Sequence, residues 1–181
     1  ALLSVAEDAL VVGLGVQAMP LTPEEAAECK DAAGMARVRR AAGATNCIVE
    51  LVGESLQVAG ETMAQRASAL QFLKPALSSA PSSTIADEWS ADTYDEAFVP
   101  KDKRANLSGT VLAGVERETG TFAFFDDGAE LAGIEDSVRL IVCGQDADKR
   151  MAAITELGKL QEVVPMEEES WKKEEAWPKK E

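Results

Sequence analysis

Between Thr22 and Lys74 the sequence carries a helix start, a helix stop and a long apolar stripe, and the rest of the chain must pack around them. Thr22 can accept a backbone N–H, Pro23 fits a first helical position, and Glu25 completes a capping box. Glu24, Glu25, Glu28 and Asp31 precede Arg37, Arg39 and Arg40, the charge order that the helix macrodipole favours. Gly43 supplies a C-terminal stop. Cys29, Ala32, Ala33 and Ala36 offer a small-residue face, with Met35 and Val38 adding bulk.

Downstream, Ile48, Val52, Leu56, Ala59, Met63, Ala67, Leu70 and Leu73 recur at spacings of three and four, one stripe of a second helix starting near Thr45 or Asn46. Asn46, Gly53, Gly60 and Ala67 recur every seven residues and suggest a small stripe where helices approach closely. Pro75 would end this helix. The predicted unit is an antiparallel helical hairpin joined at Gly43-Ala44-Thr45. A rival reading makes Cys47–Val52 a strand with Gly53 in a turn, because two glycines inside a helix cost about 1 kcal/mol each against Ala.

Ala1–Met19 reads as a third helix, with Ser4 and Glu7 as a capping box and Leu3, Ala6, Leu10 and Leu14 on one face. Gly13-Leu14-Gly15-Val16-Gln17-Ala18 also fits a dinucleotide fingerprint, but that motif needs a strand before it and a full helix after it. Pro20 leaves little room for that helix, so the bundle reading is preferred.

Residues 107–164 read as a small α/β unit. Thr110–Glu116 alternates, with Val111, Ala113 and Val115 on one side, and predicts a strand. Glu118-Thr119-Gly120 supplies a turn, Thr121–Phe125 is β-prone, and Asp126-Asp127-Gly128 marks another turn. Ser137–Cys143 is an apolar run rich enough to be a strand buried on both faces, and Gly144 ends it. Asp146 or Asp148 then caps a helix through about Leu160, with Met151, Ile154 and Leu157 inward and Pro165 closing the unit. The expected fold is α+β: a helical hairpin or three-helix bundle over residues 1–75, a linker and aromatic acidic loop over 76–106, the α/β unit over 107–164, and an extended charged tail over 165–181.

Composition bounds the function. The chain has 181 residues, 46% hydrophobic and 28% charged, an ordinary globular balance. Its net charge of −14 argues against nucleic acid, whose phosphates need a basic footprint, and against electrostatic docking on anionic lipid. It permits a basic protein partner. No run is long enough to span a membrane. The chain begins with Ala; a removed targeting segment or truncation would give that, and a chloroplast or mitochondrial setting is the expectation. Asn106-Leu107-Ser108 matches a glycosylation acceptor without other signs of secretion.

The sequence contains no His, which removes Ser-His-Asp and Cys-His nucleophilic catalysis and His-ligated metals. Cys29, Cys47 and Cys143 are odd in number and widely spaced, neither a disulfide framework nor a zinc site. Neither a cofactor nor a metal is expected. The aromatic residues Trp89, Tyr94 and Phe98 sit among acids, and Trp171 and Trp177 sit in a tail with too little apolar content to fold alone. These five are the candidate partner-binding residues, since Trp and Tyr dominate interface hot spots. For Trp89, Tyr94 and Phe98, packing over the protein's own hairpin is the favoured reading. Trp171 and Trp177, six apart, cannot share one helical face, so an extended tail is expected.

Two functions compete. One is a non-catalytic accessory or assembly subunit packing on other protein subunits, in an organellar photosynthetic or respiratory complex. The other is a small enzyme or small-molecule binder using Asp126, Asp127, Asp146 and Asp148 with Lys149 or Arg150, where the helices meet the α/β unit.

Overall fold

The computed structural model describes residues 14–77, 89–126, 136–161 and 164–165. It is an α+β fold built on two antiparallel sheets. The elements run β1 (Gly15–Pro20), α1 (Pro23–Lys30), α2 (Ala32–Gly43), β2 (Ile48–Val52), β3 (Ser55–Gly60) and α3 (Met63–Leu77). They continue with β4 (Tyr94–Pro100), α4 (Gly109–Thr119), β5 (Phe122–Asp126), β6 (Ser137–Cys143), α5 (Ala147–Gln161) and β7 (Val164–Pro165). One sheet has the strand order β1-β3-β2 and the other β5-β6-β4-β7.

The first helix begins where its cap predicts. Thr22 Oγ1 accepts from Glu25 N at 3.3 Å, and Glu25 Oε2 accepts from Thr22 N at 2.8 Å. The helix is not continuous to Gly43. Asp31 leaves helical geometry (ψ 142°) and caps a new helix, accepting from Ala33 N at 2.9 Å and Gly34 N at 3.3 Å. An Asp side chain satisfying two orphan donors restarts the helix in a new direction.

The predicted second long helix is corrected over its first half. Residues 48–60 form a β-hairpin, and only from Met63 does the chain become helical. Gly53 takes φ +64° at the first central position of a two-residue loop, as a type II′ hairpin turn requires. The apparent stripe divides between two faces of the sheet. Leu56 is buried, whereas Ile48 and Val52 are 49% and 42% exposed. Val49 pairs with Val58 and Leu51 with Leu56, and this row faces the helices. α3 starts with its own reciprocal cap, Thr62 with Gln65. It passes through Pro75 to Leu77 instead of stopping. Proline there forgoes one hydrogen bond in the last described turn, and burial of Phe72, Leu73, Ala76 and Leu77 outweighs that loss.

The predicted N-terminal helix is also corrected where it is described: Gly15–Pro20 is a strand paired with β3 from Gly15↔Gly60 to Pro20↔Ser55. No helix opens at the Gly13–Ala18 motif, so the dinucleotide reading falls. Its first glycine and the Ser4 cap lie outside the described residues.

The stretch around Tyr94–Pro100 forms β4, an interior strand between β6 and β7. Thr110–Glu116, expected as a strand, lies in α4. Val111, Leu112 and Val115 recur at helical spacing and pack on the second core cluster, and Gly120 ends the helix at φ +69°. Ser137–Cys143 is a strand as predicted, and Asp146 caps α5 through Asp148 N and Lys149 N. Ile154 and Leu157 are buried; Met151, expected inward, is 46% exposed. Pro165 is paired to Ala97 on β4.

The four-stranded sheet is buried on both faces. Ala97, Val99, Leu140 and Val142 pack beneath α4 and α5 with Ile154 and Leu157. Phe122, Phe124, Ile141 and Cys143 face the other way and join Val38, Val49, Leu56, Phe72 and Leu73 in a second cluster. That cluster runs across the N-terminal and C-terminal halves of the chain.

Candidate functional site

The C-terminal ends of α2 and α4 approach each other and leave a cleft of about 510 Å³ between them. Arg39 and Arg40 come from the last turns of α2, and Arg117 from that of α4. Ala36, Gly43, Ala44 and Ala113 give the cleft small walls, and Gly120 and Thr121 close its α4 end. Arginine in a last helical turn is favoured by the macrodipole, so the sequence places these cations at helix ends for local reasons. The fold then brings two such ends together.

Glu116 fixes the floor. Its side chain is 3% exposed, and a carboxylate this buried must be paired. Oε2 receives Arg40 Nε at 2.5 Å, and Oε1 receives the backbone N–H of Ala123 at 2.9 Å. The pair ties α2, α4 and β5 together. Arg40 remains 32% exposed at its side chain, and its Nε bond is one of five N–H donors on the guanidinium. Arg39 and Arg117 are exposed and carry no ion pair with a described residue.

The sequence-predicted aromatic residues lie elsewhere. Trp89 is half-buried and packs on Phe72 at 5.4 Å, Tyr94 at 5.9 Å and Phe124 at 6.3 Å between ring centroids. Trp89 and Tyr94 thus meet over this protein's own core. Burial first, and then Glu96, raises the Tyr94 phenol above its usual pKa. Phe98 is half-buried further along β4, opposite Arg139. Trp171 and Trp177 lie outside the described residues.

The carboxylates and bases proposed for catalysis do not converge. Asp126 is buried and ion-paired to Arg139, which also reaches Glu96 at 3.2 Å. Asp127 lies outside the described residues. Asp146 is used as a helix cap, and Asp148 and Lys149 are exposed. Arg150 is buried and braces three strand and loop ends: Asp95 Oδ2 at 2.7 Å, Asp92 O at 2.8 Å and Gly144 O at 2.7 Å.

All three thiols are buried. Burial is the main cause that raises each pKa: Glu28 and Glu25 add to it at Cys29, while a Thr45 hydrogen bond and Arg66 oppose it at Cys47. At Cys143 burial drives the value well above the ordinary thiol, with Arg150 opposing. Thiols kept protonated at neutral pH are poor nucleophiles. Among the described residues, no three His, Cys, Asp or Glu side chains are placed to hold a metal ion, and no helix is long and apolar enough to cross a membrane.

No protein-family model matches the sequence, and no curated protein is significantly similar to it. Sequence reasoning missed the cleft because its charged residues are far apart in the chain. Arg40 and Glu116 are separated by 76 positions, and no local pattern links them.

Proposed function

We propose that this protein is a non-catalytic accessory subunit that packs on a basic protein through the outer face of its three-stranded sheet. The observation that carries this reading is the row Val16–Ala59–Ile48. These residues are directly paired across the three strands: Ala59 is buried at the centre, and Val16 and Ile48 flank it at 36% and 49% exposure. Four residues further along the same three strands, Pro20, Ser55 and Val52 form a parallel row, with Val52 42% exposed. β-Branched side chains grouped on one open sheet face favour burial against a partner. Glu50 and Gln57 lie between the two rows, and the chain carries a net charge of −14. That charge suits a partner whose apolar strip is bordered by Lys or Arg. In this reading the Trp171 and Trp177 segment is a second, sequence-level anchor.

The test is isolation of the tagged protein with its partner, compared with Ile48→Lys/Val52→Lys and with a chain ending at Pro165. The double-lysine variant should lose the partner while melting at an unchanged temperature, because both side chains face solvent in the isolated chain. A partner retained by that variant with the same affinity rejects the sheet face as the contact. Loss of binding only in the shortened chain would move the contact to the tail.

A further inference from the structure

The α2–α4 cleft has a feature that its helix-end chemistry does not explain. The macrodipole accounts for arginines in the last turns, but not for a cavity of about 510 Å³ left open between them. That volume falls within the range of small-ligand sites, and the make-up matches: small apolar walls with a few placed polar groups. The negative ends of the two helices are partly satisfied by their own backbone. Ala44 N takes the Arg40 carbonyl, Thr45 N and Cys47 N the Ala42 carbonyl, Asn46 N the Gly43 carbonyl, and Gly120 N and Thr121 N the Glu116 carbonyl. Glu116 neutralises one guanidinium and fixes its position. Among the described residues nothing pairs with Arg39 or Arg117, so they leave positive charge at the rim, on a protein whose 32 acidic residues outnumber its 18 basic ones. A basic cleft in an acidic chain focuses anions locally.

We propose that this cleft binds a small organic anion: a carboxylate or phosphate group carried on an apolar body. The oxyanion sits among Arg39, Arg117 and the free edge of Arg40, where forked N–H donors suit either group. The apolar body lies against Ala36, Ala44 and Ala113. Glu116 acts as a positioning residue, since its bonds to Arg40 and Ala123 hold the guanidinium at the cleft. This site is separate from the outer sheet face and stands or falls independently of the accessory-subunit reading.

The test is a backbone-amide NMR titration of the full chain with phenyl phosphate, phenylacetate and, as the neutral control, 2-phenylethanol. At least one anion should give saturable shifts at Arg39, Arg40, Ala44 and Gly120, weakening as salt is added. The neutral alcohol should give none there. Which anion binds more tightly assigns the headgroup as phosphate or carboxylate. Arg39→Gln/Arg117→Gln changes two exposed side chains, so its melting temperature should hold while affinity falls about tenfold or more. Absence of saturable shifts with both anions overturns the proposal. So does equal binding of the neutral alcohol, which would make the cleft a plain apolar crevice, or an unchanged affinity in the double variant.

Discussion

Arg40 Nε lies 2.5 Å from Glu116 Oε2, a bond that joins two helices 76 positions apart in the chain. Removing Glu116 also strands the Ala123 N–H that its other oxygen accepts. Arg40, in contrast, is exposed enough to recover water. Glu116→Ala should therefore destabilise by about 2–4 kcal/mol, more than Arg40→Ala alone would through lost attraction. A double-mutant cycle in urea unfolding measures the coupling. A coupling near zero would show that the pair does not hold α2 to α4.

Gly34 and Gly60 mark close approaches of different kinds. A methyl group at Gly34 would run into the backbone carbonyl of Glu28, across the Asp31 break. A helix backbone cannot yield as a side-chain tip does, so Gly34→Ala should cost about 1–3 kcal/mol despite alanine's better helix propensity. At Gly60 the added carbon would meet Cys47 Sγ at 2.5 Å. Gly60→Leu should lose a similar amount, because β3 is sandwiched there and not because two helices touch. Thermal unfolding checks both; unchanged melting temperatures would contradict the packing described.

Cys143 is 0% exposed and its thiol is held protonated. An acid whose folded pKa is raised binds protons in the folded state that the unfolded state releases. The associated stability is present below the unfolded thiol pKa, about 8.5, and declines as pH rises above it. The urea midpoint should fall between pH 8 and 10, about those limits by the same linkage. The decline should be shallower in Cys143→Ala. A native-state thiol reagent should label Cys143 only at the rate of unfolding, and rapid labelling would contradict its burial.

Arg150 is 4% exposed and holds Asp95, Asp92 and Gly144 at once. Arg150→Met keeps much of the volume but leaves two carbonyls and a half-buried carboxylate without their donor. A loss of about 2–4 kcal/mol is expected, measured by chemical unfolding. Arg150→Lys should recover only part of it, because an ammonium cannot reproduce the fork that reaches three acceptors.

Several parts of the fold were legible from local chemistry. Thr22, Pro23 and Glu25 start α1, Gly43 ends α2, Asp146 caps α5 and Ser137–Cys143 is a strand. Each depends on groups within a few residues of one another, so the chain's own covalent order supplies the partner. The Ile48–Ala59 stretch matched a helical stripe because its apolar residues recur at three and four, but the rival reading of a strand turned at Gly53 is the one the fold adopts, and the turn puts Leu56 on the face opposite Ile48 and Val52. Only Gly53 in a left-handed turn, with β1 beside β3, makes the strand pairing win. Thr110–Glu116 was misread in the opposite sense: its alternation is real, but Leu112 and Val115 find their partners on a helix face.

What the sequence determined by itself was therefore the helix ends at Thr22, Gly43 and Asp146, the buried apolar strand of β6, the acidic balance and the absence of histidine chemistry. What only tertiary structure decided was that Thr110–Glu116 is helical and that its end meets the end of α2, and hence the arginine cleft, the Glu116 floor and the exposed row of Val16 and Ile48. The physical reason is range. Caps, turns and breaks are settled by hydrogen bonds across three or four residues, whereas a buried ion pair or an open sheet face depends on which distant segments exclude water from one another.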